Sequence, residues 1–253
     1  MQLEEYFQKQ PNHDFFNKLG RLLIENKLAK IIEIALVFLV AFIIIIAFKS
    51  SEASDLIYNQ AVIWLANIVM LTIVFTGIKL RGEGLNHFGF GFKKVTWKTG
   101  LKMVLQSILV LILVVAGFVI GSIIMANITG IPESSDMSGY DYLKDNIGML
   151  LLTLFGVFIV SSFGEEVIYR AFLINRISEL GLSSNIGKII AVIISAVIFG
   201  LAHYSWGLMG IVQTSFMGLA LGLCYLKLKK RIWILILAHA YMDTLLMLQL
   251  YFN

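Results

Sequence analysis

The chain has 253 residues, 58% of them hydrophobic and only 14% charged, with a net charge of +4, and its mean hydropathy is +0.85. Too few polar groups are present to cover so much apolar surface in water, which excludes a soluble globular domain and leaves a bilayer as the solvent. The isoelectric point of about 9.1 reflects where the basic residues sit along the chain, and gives no reason to invoke nucleic acid.

Seven apolar segments approach the ~20 helical residues needed to cross a hydrocarbon core. They lie at about 31–48, 61–78, 103–125, 147–163 with a polar continuation, 186–203, 207–226 and 232–251. No connection between them is large enough for a separate domain. The expected fold is all-α: a polytopic membrane helix bundle of about seven transmembrane helices, with a cytoplasmic segment over 1–30 and one integral membrane domain over 31–253. The first thirty residues are too long and too acidic for a signal-peptide n-region. Within them Leu3 to Leu28 reads either as an interfacial helix or as a solvated extension.

The loops orient the bundle. Of the 20 Lys and Arg residues, 18 lie before the first span or in the second-to-third, fourth-to-fifth and sixth-to-seventh connections. Lys49 and Lys144 alone fall on the other side, where the 127–146 loop carries Glu133, Asp136, Asp141 and Asp145. By the positive-inside rule the N-terminus is cytoplasmic and the C-terminus extracytoplasmic. Gly117/Gly121 and Gly218/Gly222 have the spacing that lets helix backbones approach, a packing reading preferred over a substrate-lining one. Tyr204 and Trp206 at one edge, and Trp97 and Trp233 at the other, suit interfacial belts. Cys224, the single cysteine, reads as packing.

Three motifs place ionisable groups in or at the ends of these segments, where each costs ~2.5–3.5 kcal/mol at a helix centre on insertion scales. The first is Gly164-Glu165-Glu166-Val167-Ile168-Tyr169-Arg170. Neighbouring glutamates point ~100° apart on an α-helix, and Glu166 stands four residues before Arg170 in the favourable order for an ion pair. That pairing leaves Glu165 free for chemistry; the bland alternative is a solvated ion pair at a helix end. The second motif, Phe199 to His203, ends the fifth span, and its histidine read alone is an interfacial residue. The third puts His239 and Asp243 one turn apart inside the seventh span, where a buried carboxylate needs a partner to remain charged. Legs of roughly 24 and 28 Å on either side of a turn at Gly181–Ser184 bring Glu165 and His203 to similar heights. His239 is only roughly 12 Å above Arg231, so matching it requires the four–five hairpin to protrude beyond the bilayer.

Glu-Glu-x-x-x-Arg, Phe-x-x-x-His and His-x-x-x-Asp, in this order on successive membrane helices, resemble the CPBP family of intramembrane proteases (CAAX proteases and bacteriocin-processing enzymes, or Abi). The resemblance covers about residues 145–251 and implies a four-helix catalytic core. It carries Glu165, Glu166, Arg170, His203, His239 and Asp243 over as site residues, with Asp243 standing where the prenyl-processing branch often has asparagine. An ionised aspartate accepts hydrogen bonds and cannot donate one to an oxyanion as an amide does. Asp243 therefore serves His239, is itself protonated, or ligates a metal beside it.

Two chemistries fit. In the preferred one, Glu165 is general base to a water shared with His203, and His239, supported by Asp243, stabilises the oxyanion; no cofactor is required. In the other, Zn²⁺ on His203 and His239 with a carboxylate acidifies the water. The implied partners are the lipid bilayer and a peptide or membrane-anchored protein substrate. Two further readings compete: a non-enzymatic bacteriocin-immunity or regulatory scaffold of the same fold, and a proton-coupled transporter, against which the absence of a repeat speaks. Abundant Ile and Lys suggest a bacterial source and its cell membrane.

Overall fold

The computed structural model describes residues 14–52, 54–91, 96–130 and 137–252. Lys9, Pro11, Lys93, Lys94, Pro132, Glu133, Asp136 and the first part of the 3–28 segment lie outside them. A short amphipathic helix α1 (Asp14–Glu25) precedes α2 (Lys27–Phe48), α3 (Leu56–Leu80) and α4 (Trp97–Thr129). Then follow α5 (Ile147–Glu179), α6 (Asn185–Ala202), α7 (Gly207–Lys227) and α8 (Ile232–Phe252). Helices α2 to α8 account for seven spans long and apolar enough to cross a membrane, and the protein is an integral membrane protein. Most run a few residues beyond their apolar windows because a helix does not stop where hydrocarbon does; capping residues start several of them. Asn26, Asn146 and Ser184 each accept a hydrogen bond from the backbone N–H three residues on, and Thr96 and Thr99 form a reciprocal capping box, satisfying donors a first turn leaves orphaned.

Large apolar side chains such as Leu109, Ile112 and Phe155 are exposed on the bundle's outside, the surface that lipid covers. Inside, the glycines act as packing surfaces. A methyl group added at Gly117 or Gly121 of α4 would meet the backbone of α7 at Phe216 and at Val212–Gln213. At Gly218 and Gly222 of α7 it would meet Phe199, Ala196 and Val192 of α6. Helix α5 runs through the centre, against α3, α6 and α8.

One end of the bundle carries Lys30, Arg81, Arg176 and Lys230, and is here termed the basic end. It is sealed. Arg81 is fully buried and paired with Glu33 of α2. Arg176, also fully buried, is paired with Glu83 and Glu179, and Glu179 reaches Lys30 at 3.1 Å. The 82–91 connection folds under the bundle and puts Phe88 beneath the Arg176 guanidinium, 5.3 Å from ring centroid to Cζ. Half-buried Trp233 meets Phe90 edge-on and Phe163 at a tilt, with centroids 5.8 and 6.3 Å apart.

That folded-under connection depends on Gly89. Its φ of +89° lies in the left-handed region, and a Cβ there would collide with the carbonyl oxygen of Lys230. Gly89→Ala is expected to lower stability by about 1–3 kcal/mol, read as a fall in thermal midpoint in detergent. Gly84→Ala, with ordinary φ and nothing within 4 Å, is expected to leave the midpoint unchanged.

Candidate active site

Helix α5 changes character where the acidic motif begins. After an α-helical stretch over Ile147–Val157, the backbone takes the wider π pattern through Phe158–Ile174 before returning to α. Such widening is rare and concentrates at functional sites. Wide turns advance less per residue than α turns, so Glu165 lies nearer the basic end than α-helical arithmetic places it.

Glu166 is completely buried. Its Oε1 accepts from Nδ1–H of His239 at 2.9 Å and makes an ion pair with Arg170 at 3.0 Å, angled away from a hydrogen bond. The Arg170 guanidinium lies over the Phe199 ring, 4.4 Å from its centroid. A buried charge trio of this kind is costly to assemble and costlier to break, because removing one member leaves the others uncompensated.

Glu165 faces the other way, into a cavity of about 720 Å³ that it lines together with His203, His239 and Asp243. Its Oε2 lies 3.8 Å from Nε2 of His239 and has no hydrogen-bond partner among the described residues. The imidazole of His239 therefore stands between the two glutamates, tethered through Nδ1 and presenting Nε2 to the cavity. Asp243 Oδ1 is 3.6 Å from that Nε2, while its Oδ2 accepts from the Ser162 hydroxyl at 2.7 Å. An acceptor-only carboxylate suits both contacts. His203 donates Nδ1–H to the Phe199 carbonyl at 2.9 Å, which leaves Nε2 as an acceptor. Its ring is gripped edge-on by Phe199 and Trp206, at 4.8 and 4.6 Å between centroids.

The structure thus brings all six sequence-derived residues into one neighbourhood: four on the cavity and two, Glu166 and Arg170, behind it. Sequence reasoning missed Ser161 and Ser162, which contact His239 at 3.5 Å and Asp243, and underrated Trp206. A signal was present, since two adjacent hydroxyls three residues before a buried glutamate pair are polar groups in an apolar run. Tyr140, from the short turn Ser138–Leu143, also lines the cavity. Burial, with Tyr142 and the carboxylates of Asp243 and Glu165, pushes its phenol above the ordinary value.

The alternative zinc set is not drawn into ligand spacing. Among the described residues one group, Glu83, His87 and Glu179, places ligand atoms within 4.8 Å of one another, and both its carboxylates are engaged by Arg176. As they stand, His203, His239 and a carboxylate do not form a preorganised metal site.

Residues 147–245 match the family model described as type II CAAX prenyl endopeptidase Rce1-like. No curated protein and no solved structure matches the chain.

The two glutamates are expected to respond differently to substitution. Arg170→Ala strands the buried Glu166 carboxylate and should destabilise by about 3–5 kcal/mol. Glu165→Gln keeps shape and removes a charge with no hydrogen-bond partner, so thermal stability in detergent should be unchanged or higher. Equal losses would contradict this division of labour.

Proposed function

We propose, from the match of residues 147–245 to the Rce1-like type II CAAX prenyl endopeptidase model, that the protein is an intramembrane endopeptidase of the bacterial cell membrane, cleaving a membrane-associated protein or peptide with glutamate-activated water. The observation that carries this reading is Oε2 of Glu165, which has no hydrogen-bond partner among the described residues and stands 3.8 Å from His239 Nε2 on a cavity shared with His203.

In this mechanism Glu165 takes a proton from water, whose second hydrogen is held by Nε2 of His203. The resulting hydroxide oxygen bonds to the scissile carbonyl carbon. His239 is tethered by Glu166 and faced by three carboxylates; in its imidazolium form it donates Nε2–H to the developing oxyanion. Collapse breaks the C–N bond, and the proton on Glu165 passes to the leaving amine, regenerating the base. Asp243, oriented by Ser162, positions His239 and opposes its charge. Preorganised donors in a water-poor cavity are worth more than the same groups in water.

Two measurements test the reading. Purified protein offered a peptide library should cleave, and Glu165→Gln, His203→Ala and His239→Ala should each lose about 10²–10⁴-fold in rate while still folding. Zinc lost with activity to a chelator, and restoring it when added back, would favour the metal version. A cellular phenotype that survives all three substitutions would instead favour an immunity or regulatory scaffold. Orientation is tested separately: with the basic end cytoplasmic, a reporter fused after residue 253 should read as extracytoplasmic and one at position 94 as cytoplasmic. Both on one side would overturn the seven-span topology.

A further inference from the structure

The cavity extends toward one end of the bundle. From His239 its lining climbs α8 to Gln249, roughly 15 Å, and from Phe38 it climbs α2 to Lys49, roughly 16 Å. On α3 it runs from Met70 up to Gln60, and it ends among Tyr140 and the turn Tyr204–Trp206. Every one of these upper residues lies at the end of the bundle opposite the basic one. Below His239, none of Lys30, Arg81, Arg176 or Lys230 lines the cavity. The cavity lining on α5 ends at Tyr169; toward the basic end, off the cavity wall, stand the ring cluster of Phe90, Phe163 and Trp233, fully buried Phe88 and the arginine pairs of Arg81 and Arg176. A path to that end requires separating aromatic rings and buried ion pairs together.

We propose that the site is loaded from the extracytoplasmic side, and that its substrate is an apolar peptide segment presented from the outer face of the membrane. A chain end offered from the cytoplasm does not reach it. The proposal rests on the protease reading for the word substrate and on the basic end being cytoplasmic for its direction. The walls decide the chemistry. Phe38, Phe42, Ile45, Val115 and Phe118 line its walls, so apolar side chains are what the cavity accommodates. Among the described lining residues Lys49, at the rim, is the one Lys or Arg.

Access is measured without relying on cleavage. In full-length protein carrying Cys224→Ala, single cysteines are placed at Tyr204 on the rim, at Gln60 and Asn67 on the wall, and at Leu85 on the basic end. A charged, membrane-impermeant maleimide is applied to intact cells and to everted vesicles. The expected pattern is labelling of Tyr204→Cys, Gln60→Cys and Asn67→Cys in intact cells with loss of that labelling in everted vesicles, and the reverse for Leu85→Cys. The same pattern is expected with Glu165→Gln added, so that failure of the catalytic reading leaves the access result standing. If the Tyr204 and Leu85 positions keep their sides but both wall positions label from everted vesicles, the access proposal is overturned and the topology survives. If both wall positions label from neither face, while a permeant maleimide reaches them, the proposal is likewise overturned. If the Tyr204 position labels only in everted vesicles, the orientation fails and the direction of loading with it.

Discussion

The site depends on one carboxylate oxygen. Oε1 of Glu166, with no exposure to solvent or lipid, meets both Nδ1 of His239 and the guanidinium of Arg170. It ties α5 to α8 across the middle of the bundle and decides which imidazole nitrogen faces the cavity. Remove that contact and His239 has no reason to present Nε2, Asp243 has nothing to orient, and Glu165 loses the group beside which it acts. In a low-dielectric interior such a network is strong when complete and expensive when incomplete. It orders the site more than it adds net stability.

Around that oxygen the aromatic rings do the positioning. Phe199 is fully buried and touches Arg170 with its face and Tyr169, His203 and His239 edge to face. One side chain from α6 therefore holds the structural cation and both histidines. The wide turns of α5 cover the stretch that carries Glu165, Glu166 and Arg170. The aromatic cluster and arginine pairs fill the basic end, and the cavity extends the other way.

Much of this was legible in the residues, and the exceptions are physical. Span positions follow from apolar windows, because the bilayer imposes a length. The Glu166–Arg170 pair follows from spacing along one helix. The link from Glu166 to His239 does not, since it crosses between helices separated by more than seventy residues. Nor does the π pattern over Phe158–Ile174, which no periodicity in so apolar a stretch reveals. Nor does the burial of Arg176, whose partner Glu83 lies in a different loop, and the folding-under of residues 82–91 became visible only with the left-handed Gly89 in place.

The central claim, that Glu166 organises while Glu165 reacts, is tested most directly by Glu166→Gln, with thermal midpoint and cleavage rate per folded molecule read on the same preparation. The amide would set its nitrogen or its weaker oxygen against two donors, His239 and Arg170. The account expects both a lowered midpoint and a large loss of rate. A Glu166→Gln protein with wild-type midpoint and wild-type cleavage would contradict it.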